Sequence, residues 1–440
     1  MDVAGKRITV FGMAKSGVAT LELLKKHGAV VRASDMKTRE SLPAFDAEFV
    51  PQSAAALEGC DLAVLSPGVP ADLPIFKDAA SRGVPVLGDV EAASWFLRGP
   101  ILGITGANGK TTTTALAGHL LNTAGIACQV GGNIGTPLAS MVATSRDNQW
   151  NVLELSSFQL ETSETLHVRI AAVLNITPDH LDRHGTFENY AAMKARILRN
   201  QTSSDYAVLN MESAPAAALA NQARGKVMWF NAGGESRPGF WRECDQLVAD
   251  GTPFMPASEI RLRGRHNVEN ILAAACCTHL AGAPLERIRE GVVTFPGVEH
   301  RIEYVRTVNG VEYYNDSKAT NVDATVKALE SFDKGLWVIL GGKDKNSDYT
   351  TLKDLLRARA KAVLLIGAAA EKIASHLGDS VRLERCGDLK TALQFTHAAA
   401  QPGDTVLLAP ACASFDQFTG YEQRGRVFKE IVRELEERQG

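Results

Sequence analysis

Residues 101–114 read Ile101-Leu102-Gly103-Ile104-Thr105-Gly106-Ala107-Asn108-Gly109-Lys110-Thr111-Thr112-Thr113-Thr114. An apolar run feeds a glycine loop, and a helical pattern follows through about Asn122. Strand, glycine loop and helix in that order are the unit from which α/β proteins are built. Such a loop aims backbone N–H groups and a helix N-terminus at phosphate oxygens. Here it offers Gly106, Ala107, Asn108, Gly109, Lys110, Thr111 and Thr112. Lys110 would neutralise charge on the outer phosphates, and the Thr111 hydroxyl would reach Mg²⁺. Ile104 occupies the first glycine position of the strict G-x-x-x-x-G-K-[ST] pattern. The bland alternative is an ordinary strand–turn–helix loop, and Lys-Thr in register with a flanking strand and helix favours phosphate.

The same punctuation recurs on both sides, and it divides the chain into three α/β domains: residues 1–97, 98–297 and 298–440. In the first, Arg7–Phe11 leads into Gly12-Met13-Ala14-Lys15-Ser16-Gly17, a helix ends near His27-Gly28, and Val30–Ser34 ends at Asp35. A third strand, Leu62–Leu65, ends at Ser66-Pro67-Gly68. This is a Rossmann-like start whose loops open at the carboxyl ends of the strands. In the second, a central domain of P-loop ATPase type, strands are expected at Val152–Leu155 and Ala171–Asn175. Residues 225–260 read as loops or a small β excursion, and a helix covers Asn267–Leu280. The third, again Rossmann-like, has strands at Trp337–Leu340, Ala362–Ile366 and Thr405–Ala409, and a charged helix from Gln423 ends the chain.

Composition narrows the class. At 440 residues the chain exceeds one ordinary core. Its 45% hydrophobic and 22% charged content is ordinary globular composition. A formal net charge of −3 gives no field that would attract nucleic acid or an anionic membrane. No stretch approaches the roughly 20 apolar residues of a spanning helix. The start, MDVAGKRITVFG, lacks the apolar core of a signal peptide. Seven cysteines without a C-x-x-C pair argue against a zinc ribbon or a disulfide framework. A reducing, cytoplasmic compartment is expected.

Further polar groups follow strands. Glu154, in Val152-Leu153-Glu154-Leu155-Ser156-Ser157, could hold a metal beside the phosphates, against the alternative of a solvated strand-end acid. Asn175-Ile176-Thr177-Pro178-Asp179-His180-Leu181-Asp182-Arg183-His184 offers His180 as a metal ligand, oriented by Asp179 or Asp182. Thr186–Arg199 reads as a helix capped by Thr186, with Lys194 inside an apolar stripe of Phe187, Tyr190, Ala191, Ile197 and Leu198. A lysine there either snorkels to water or is buried with a lowered pKa. The last third carries Asn315–Asn321, Gly341–Lys345 and Pro410–Phe418, which together suggest a substrate wall. Gly12–Gly17 is a degenerate G-x-G-x-x-G, and with Asp35 as a ribose acceptor it keeps a nucleotide-binding dehydrogenase alive as a rival. That rival leaves the phosphate loop, Glu154 and the His180 cluster unemployed.

Taken together, GANGKTT, ELSSFQLE, NITPDHLDRH, GRHNVEN, HRIE, NDSKATN, LGGKDK and LLAPACASFDQFTGYEQRG resemble the Mur ligases of peptidoglycan synthesis over essentially the whole chain. The first of these are shared with folylpolyglutamate synthases, which normally lack a module like 1–97. ELSSFQLE, GGNIG at Gly131–Gly135 and ACASFDQF point to the branch that adds D-glutamate, and no D-N-P-R-like segment of the diaminopimelate- or lysine-adding branch occurs. The resemblance implies a monomeric, ATP-dependent ligase that joins D-glutamate to UDP-N-acetylmuramoyl-L-alanine through an acyl phosphate. It implies that Lys110 and the Gly106–Thr112 backbone hold ATP phosphates, that Thr111 and Glu154 ligate one Mg²⁺, and that His180 and Lys194 ligate a second. Asn267, Arg301 and Asp316 would contact adenine, phosphate and ribose. Ser16, Asp35, Lys37 and Gly68 would face the uridine diphosphate and Asn133 the muramoyl part, while Thr320, Lys345, Ser414 and Tyr421 would line the D-glutamate pocket. Asp35-Met36-Lys37-Thr38-Arg39 departs from the family's Asp-Thr-Arg, which leaves Lys37 or Arg39 as the basic contact, and Tyr421 replaces a usual phenylalanine. Mur ligases carry a carbamate on the lysine that matches Lys194, formed when a neutral amine adds carbon dioxide.

Overall fold

A computed structural model describes residues 1–436; the last four residues of the expected terminal helix lie outside the described residues. Within them that helix spans Tyr421–Glu434. The chain forms two compact units: residues 1–261 with 265–295, and 262–264 with the chain from Pro296 onward. No helix among the described residues is long and apolar enough to cross a membrane.

The first unit carries two sheets. One has strands β1 (Arg7–Phe11), β2 (Val30–Asp35), β3 (Glu48–Pro51), β4 (Leu62–Leu65) and β5 (Val86–Gly88), in the order β3-β2-β1-β4-β5. All its pairs are parallel. Order reverses at β1, so the turn after β1 and the loop after β4 flank one crevice, the position where open α/β sheets bind ligands. The strand Glu48–Pro51 makes Leu62–Leu65 the fourth strand rather than the expected third; with only four residues and no buried one, it has no apolar run to announce it.

The other sheet has β6 (Ile101–Thr105), β7 (Cys128–Gly132), β8 (Trp150–Glu154), β9 (Ile170–Val173), β10 (Tyr206–Asn210), β11 (Lys226–Asn231), β12 (Gly239–Glu243), β13 (Gln246–Ala249) and β14 (Thr252–Pro256). Its order is β14-β13-β12-β11-β10-β9-β6-β8-β7. Pairing is parallel from β7 to β12, and the pairs β12–β13 and β13–β14 are antiparallel. The segment 225–260 thus supplies four strands that extend the main sheet. Strand β6 is buried at every residue, as a central parallel strand with both faces covered must be. Its Gly103 is a packing device: a Cβ there would sit 2.9 Å from Val168 Cγ1 and 3.3 Å from Ile197 Cδ1. The missing side chain lets the 3-10 turn Arg196–Leu198, which follows the helix that carries Lys194, lie close on the sheet.

The two sheets are tied together by Glu91, on the helix Asp89–Ser94 that follows β5. Its fully buried carboxylate accepts the backbone N–H groups of Glu164, Thr165 and Leu166, the Thr165 hydroxyl, and the Trp95 indole N–H. Beside it the Gly88 N–H donates to Thr162 O at 2.9 Å.

The second unit holds β15 (Glu303–Val308), β16 (Val311–Asn315), β17 (Leu336–Gly341), β18 (Ala360–Ile366), β19 (Leu383–Gly387) and β20 (Thr405–Leu408), in the order β15-β16-β20-β17-β18-β19. Only β15–β16 is antiparallel among its pairs. Leu336, Val338, Leu340, Leu365 and Leu407 form part of one core face, and Ile339, Leu364, Val406 and Leu408 part of the other.

Candidate active site

Strand order decides which motifs meet. In the large sheet β9, β6, β8 and β7 are consecutive and parallel. Their carboxyl ends therefore deliver, side by side, the Asn175–His184 segment, the phosphate loop, Glu154 and Gly131–Gly135. In the second unit β16, β20 and β17 are likewise consecutive and parallel. Asn315–Asn321, Pro410–Phe418 and Gly341–Lys345 thus leave one edge together.

The phosphate loop is held from outside by two asparagines. Asn175 accepts the Ala107 N–H on its backbone oxygen at 2.9 Å and the Asn108 N–H on Oδ1 at 2.8 Å, and its Nδ2 donates to Asn108 O at 3.1 Å. Asn270, on the helix Arg265–Leu280, accepts from Thr113 Oγ1 at 3.2 Å and donates to Asn267 Oδ1 at 3.1 Å. Gly109 has φ +85°, and a Cβ there would run into Asn270 Oδ1. Glycine is required by both the backbone and the space.

Lys110 opens the helix Lys110–Thr123 and is half-buried. Its Nζ donates to Gly106 O at 2.9 Å and Ala107 O at 2.8 Å. Lys194 belongs to the helix Phe187–Ala195, capped by the Thr186 side chain, and continues the apolar stripe at 1% exposure. Its Nζ donates to the same Gly106 O at 2.8 Å. Two lysine amines therefore share one carbonyl. Burial first, and the Lys110 charge second, push the Lys194 pKa down to about 7.

Glu154 is buried at 2% exposure, so the alternative of a solvated strand-end acid does not hold. Its Oε1 accepts from Asn133 Nδ2 at 2.8 Å, and its Oε2 is buried without a hydrogen-bond partner. Among the described residues no group of three or more His, Cys, Asp or Glu side chains could hold a metal. The residues fit Mg²⁺ in another way, because that ion takes one or two carboxylates and completes its shell with substrate phosphates and water. An unpaired buried carboxylate oxygen beside a phosphate loop meets that need. His180 has a left-handed backbone, φ +50°, and is half-exposed, with Nε2 3.5 Å from Asp179 Oδ2. Its ring lies 6.4 Å from Tyr190, over which Lys194 Nζ sits at 4.6 Å. The histidine ring and the lysine Nζ thus both neighbour Tyr190.

In the crevice of the small sheet, Asp35 Oδ2 accepts the Met13 N–H at 2.7 Å and Oδ1 accepts the Lys37 N–H at 2.9 Å. Ser16 Oγ donates to Asp89. Arg39 is committed elsewhere, donating to Pro43 O and Phe45 O and lying 3.8 Å over the Phe45 ring. A Cβ on Gly68 would meet nothing within 4 Å.

In the second unit Asp316 is buried, accepts the Ile302 N–H at 3.3 Å, and has its pKa pushed up to about 7 by that burial. Arg301 lies between His300 and Ile302, both left-handed, with φ +65° and +43°. For a β-branched isoleucine this is an outlier of the kind that clusters at functional sites. Thr320 is half-buried, Lys345 exposed and Ser414 buried. The Tyr421 ring is 6.0 Å from His300, and Lys318 Nζ is 5.6 Å from its centre. Arg424, absent from the sequence-based candidates, is 1% exposed and donates to Ser317 Oγ, Ser317 O and Cys412 O, joining two of the three loops. Asn270 was also missed, although it follows Asn267 at the i, i+3 spacing of one helix face.

Three family models match the chain in succession: the Mur ligase MurD-like N-terminal domain over residues 6–88, the Mur ligase middle domain over 104–278, and the Mur ligase glutamate ligase domain over 300–412. A UDP-N-acetylmuramoylalanine–D-glutamate ligase of Solibacter usitatus is 53% identical over 439 residues, covering 99% of each chain. The protein of the same name from Koribacter versatilis is 49% identical, covering 100% of each. Among solved structures, a MurF from Acinetobacter baumannii has a TM-score of 0.61 at 18% identity over 92% of this chain and 86% of its own. The UDP-N-acetylmuramate–alanine ligase of Thermotoga maritima has a TM-score of 0.60 at 19% identity over 97% and 99%. These two speak for the three-domain α/β fold. With full-length relatives at about half identity and a family domain matched to each of its three sheets, the chain belongs to the Mur ligase family.

Proposed function

We propose that the chain is an ATP-dependent ligase that adds D-glutamate to UDP-N-acetylmuramoyl-L-alanine, forming an amide bond in peptidoglycan precursor synthesis. The observation that carries this reading is the pair of lysine amines on Gly106 O, with Lys110 supplying the positive charge, set beside a buried carboxylate with one unpartnered oxygen. Such a surface favours an anion of high charge accompanied by a cation. Full-length relatives named for this ligation support the choice of substrates.

On this reading residues 1–97 bind the uridine nucleotide, 98–297 bind ATP and 298–440 bind the incoming amino acid. Gly106–Thr112, with Lys110, grip the phosphates; Asn267, Arg301 and Asp316 take the rest of the nucleotide. Ser16, Asp35, Lys37 and Gly68 face the uridine diphosphate, and Asn133 the muramoyl arm. Lys37 takes the basic role, since the Arg39 guanidinium is bound to its own loop. Thr320, Lys345, Ser414 and Tyr421 receive D-glutamate. Two Mg²⁺ ions would be held by Thr111 and Glu154, and by His180 and a carbamate on Lys194; they would supply charge neutralisation at the phosphoryl oxygens. A pKa near 7 leaves a large neutral fraction of the Lys194 amine, the form that adds carbon dioxide with loss of a proton.

The substrate carboxylate attacks the γ-phosphorus of ATP, releasing ADP and giving an acyl phosphate. Lys110 and the loop N–H groups stabilise the charge that builds on the transferred group. The neutral amine of D-glutamate then adds to the acyl carbon, and phosphate and a proton leave. Incubation with ATP, UDP-N-acetylmuramoyl-L-alanine and D-glutamate should release phosphate only when all three are present. Equal release without D-glutamate or without the uridine substrate would overturn the assignment.

A further inference from the structure

Ser16, on the first turn of the helix Lys15–Lys26, spends its one hydroxyl proton on Asp89 Oδ2, while Asp89 Oδ1 accepts the Val90 N–H at 2.8 Å. A serine hydroxyl has one proton to give. While Asp89 is a carboxylate, Ser16 can show an incoming phosphate oxygen only lone pairs, and acceptor against acceptor is repulsive. Once protonated, Asp89 donates to Ser16 Oγ, and the Ser16 proton is released toward the ligand. We propose that Asp89 is a positioning residue that couples binding of the uridine diphosphate to the uptake of a proton. The inference rests on the assignment of the Gly12–Gly17 turn to that diphosphate.

The surroundings favour the coupling. Asp89 is 5% exposed. Burial raises its pKa to about 6, with no charged neighbour among the causes. Its helix packs against Lys15–Lys26, Leu138–Met141, β4 and β5. Leu138–Met141, β4 and β5 carry no ionisable side chain. From Lys15–Lys26, Lys15 Nζ donates to Gly135 O, Lys25 is paired with Asp46, and Glu22 and Lys26 are exposed. On its own helix, Glu91 is consumed by the backbone at Glu164–Leu166. A dianionic ligand nearby disfavours the Asp89 carboxylate further, so the bound state holds the proton to higher pH than the free protein. The sign follows: affinity is greatest below the free pKa of about 6 and weakens as pH rises above it.

Calorimetry of UDP-N-acetylmuramoyl-L-alanine binding to the full chain, without ATP, tests this in buffers of different ionisation enthalpy. Wild type should take up a proton on binding and lose affinity by a factor approaching tenfold per pH unit above about pH 6. In Asp89→Asn the amide nitrogen replaces Oδ2 and donates to Ser16 Oγ, so this part of the pH dependence should vanish while tight binding persists. Subtracting the variant's profile from the wild type's removes protons exchanged at Lys194. Ser16→Ala, which needs no buried replacement, should weaken binding and reduce the same uptake. Identical pH profiles for wild type and Asp89→Asn, with Ser16→Ala still weakened, would overturn the coupling and leave the diphosphate assignment standing. Unchanged affinity in Ser16→Ala would overturn both.

Discussion

The turns Gly12–Gly17 and Gly106–Thr111 are the same backbone device with opposite electrostatics. Each follows a buried parallel strand and opens a helix, and each needs glycine for contact. A Cβ on Gly17 would strike the Gly12 carbonyl, and one on Gly109 would strike Asn270. At the first turn the nearby side chains are acids, Asp35 and Asp89, and Lys15 is drawn off to Gly135 O. At the second they are the amines of Lys110 and, before carbamylation, Lys194. Glycines make the cradle, and on the proposed reading the charge placed around it separates the turn for hydroxyls and a diphosphate from the turn for a triphosphate with its metal.

The largest test of that contrast is Lys110→Ala. Removing one preorganised charge at the transferred group should cost at least ~100-fold in turnover. The corresponding Lys15→Ala should leave turnover within about twofold, because its side chain is exposed and turned to Gly135 O rather than to the phosphate loop. Comparable losses in both variants of folded protein would erase the distinction. Lys194→Ala should come next, nearly inactive at saturating substrates yet folded, and partly restored by acetate, a stand-in for the carbamate oxygens. Intact-mass measurement of wild-type protein in bicarbonate should show one added carbon dioxide that Lys194→Ala lacks. Asp35→Asn should act on the other cradle, raising KM for the uridine substrate about 10- to 100-fold with kcat little changed, since losing a charged hydrogen bond costs roughly 1.5–3 kcal/mol. An equal rise in the KM for ATP would place Asp35 elsewhere. Smallest of all, Gly17→Ala should destabilise the fold by ~1–3 kcal/mol, as forced contacts do, while Gly68→Ala, with open space at its Cβ, should change stability by less than ~0.5 kcal/mol. Denaturant midpoints would compare them.

Chemistry was legible in the sequence where it is local. Lys110 and Thr111 follow their glycines directly, Thr186 caps its helix, and Lys194 breaks an apolar stripe, so each could be read within a few residues. Adjacency was not legible. Nothing between 101 and 175 says that β6 lies between β8 and β9, because strand order is set by pairings remote in sequence. That order alone places Asn175 against Asn108, and Glu154 beside the loop. The strands within 226–256 were read only as loops or a β excursion because Pro238, Gly239 and Gly251 interrupt them. Burial of Phe240, Trp241 and Leu247 stabilises them instead. Asp89, Glu91 and Arg424 went unmarked for a related reason: a buried charge is indistinguishable from a solvated one until its partners are known.

Glu91 bears on how this protein could have been assembled and how it can be taken apart. Its carboxylate satisfies backbone donors that belong to the neighbouring sheet, so neither sheet is complete at its own surface. A fragment ending near residue 97 would expose an anion shaped for a loop it no longer has. A fragment starting there would leave Glu164, Thr165 and Leu166 with orphaned N–H groups, at about 1–3 kcal/mol each wherever water cannot replace the carboxylate. Grafting a foreign nucleotide-binding module onto this ATPase would therefore fail at the seam unless the acid and its receiving loop travelled together. The pair behaves as one heritable part, and calorimetric melting of residues 1–295 should show one transition where two sheets suggest two.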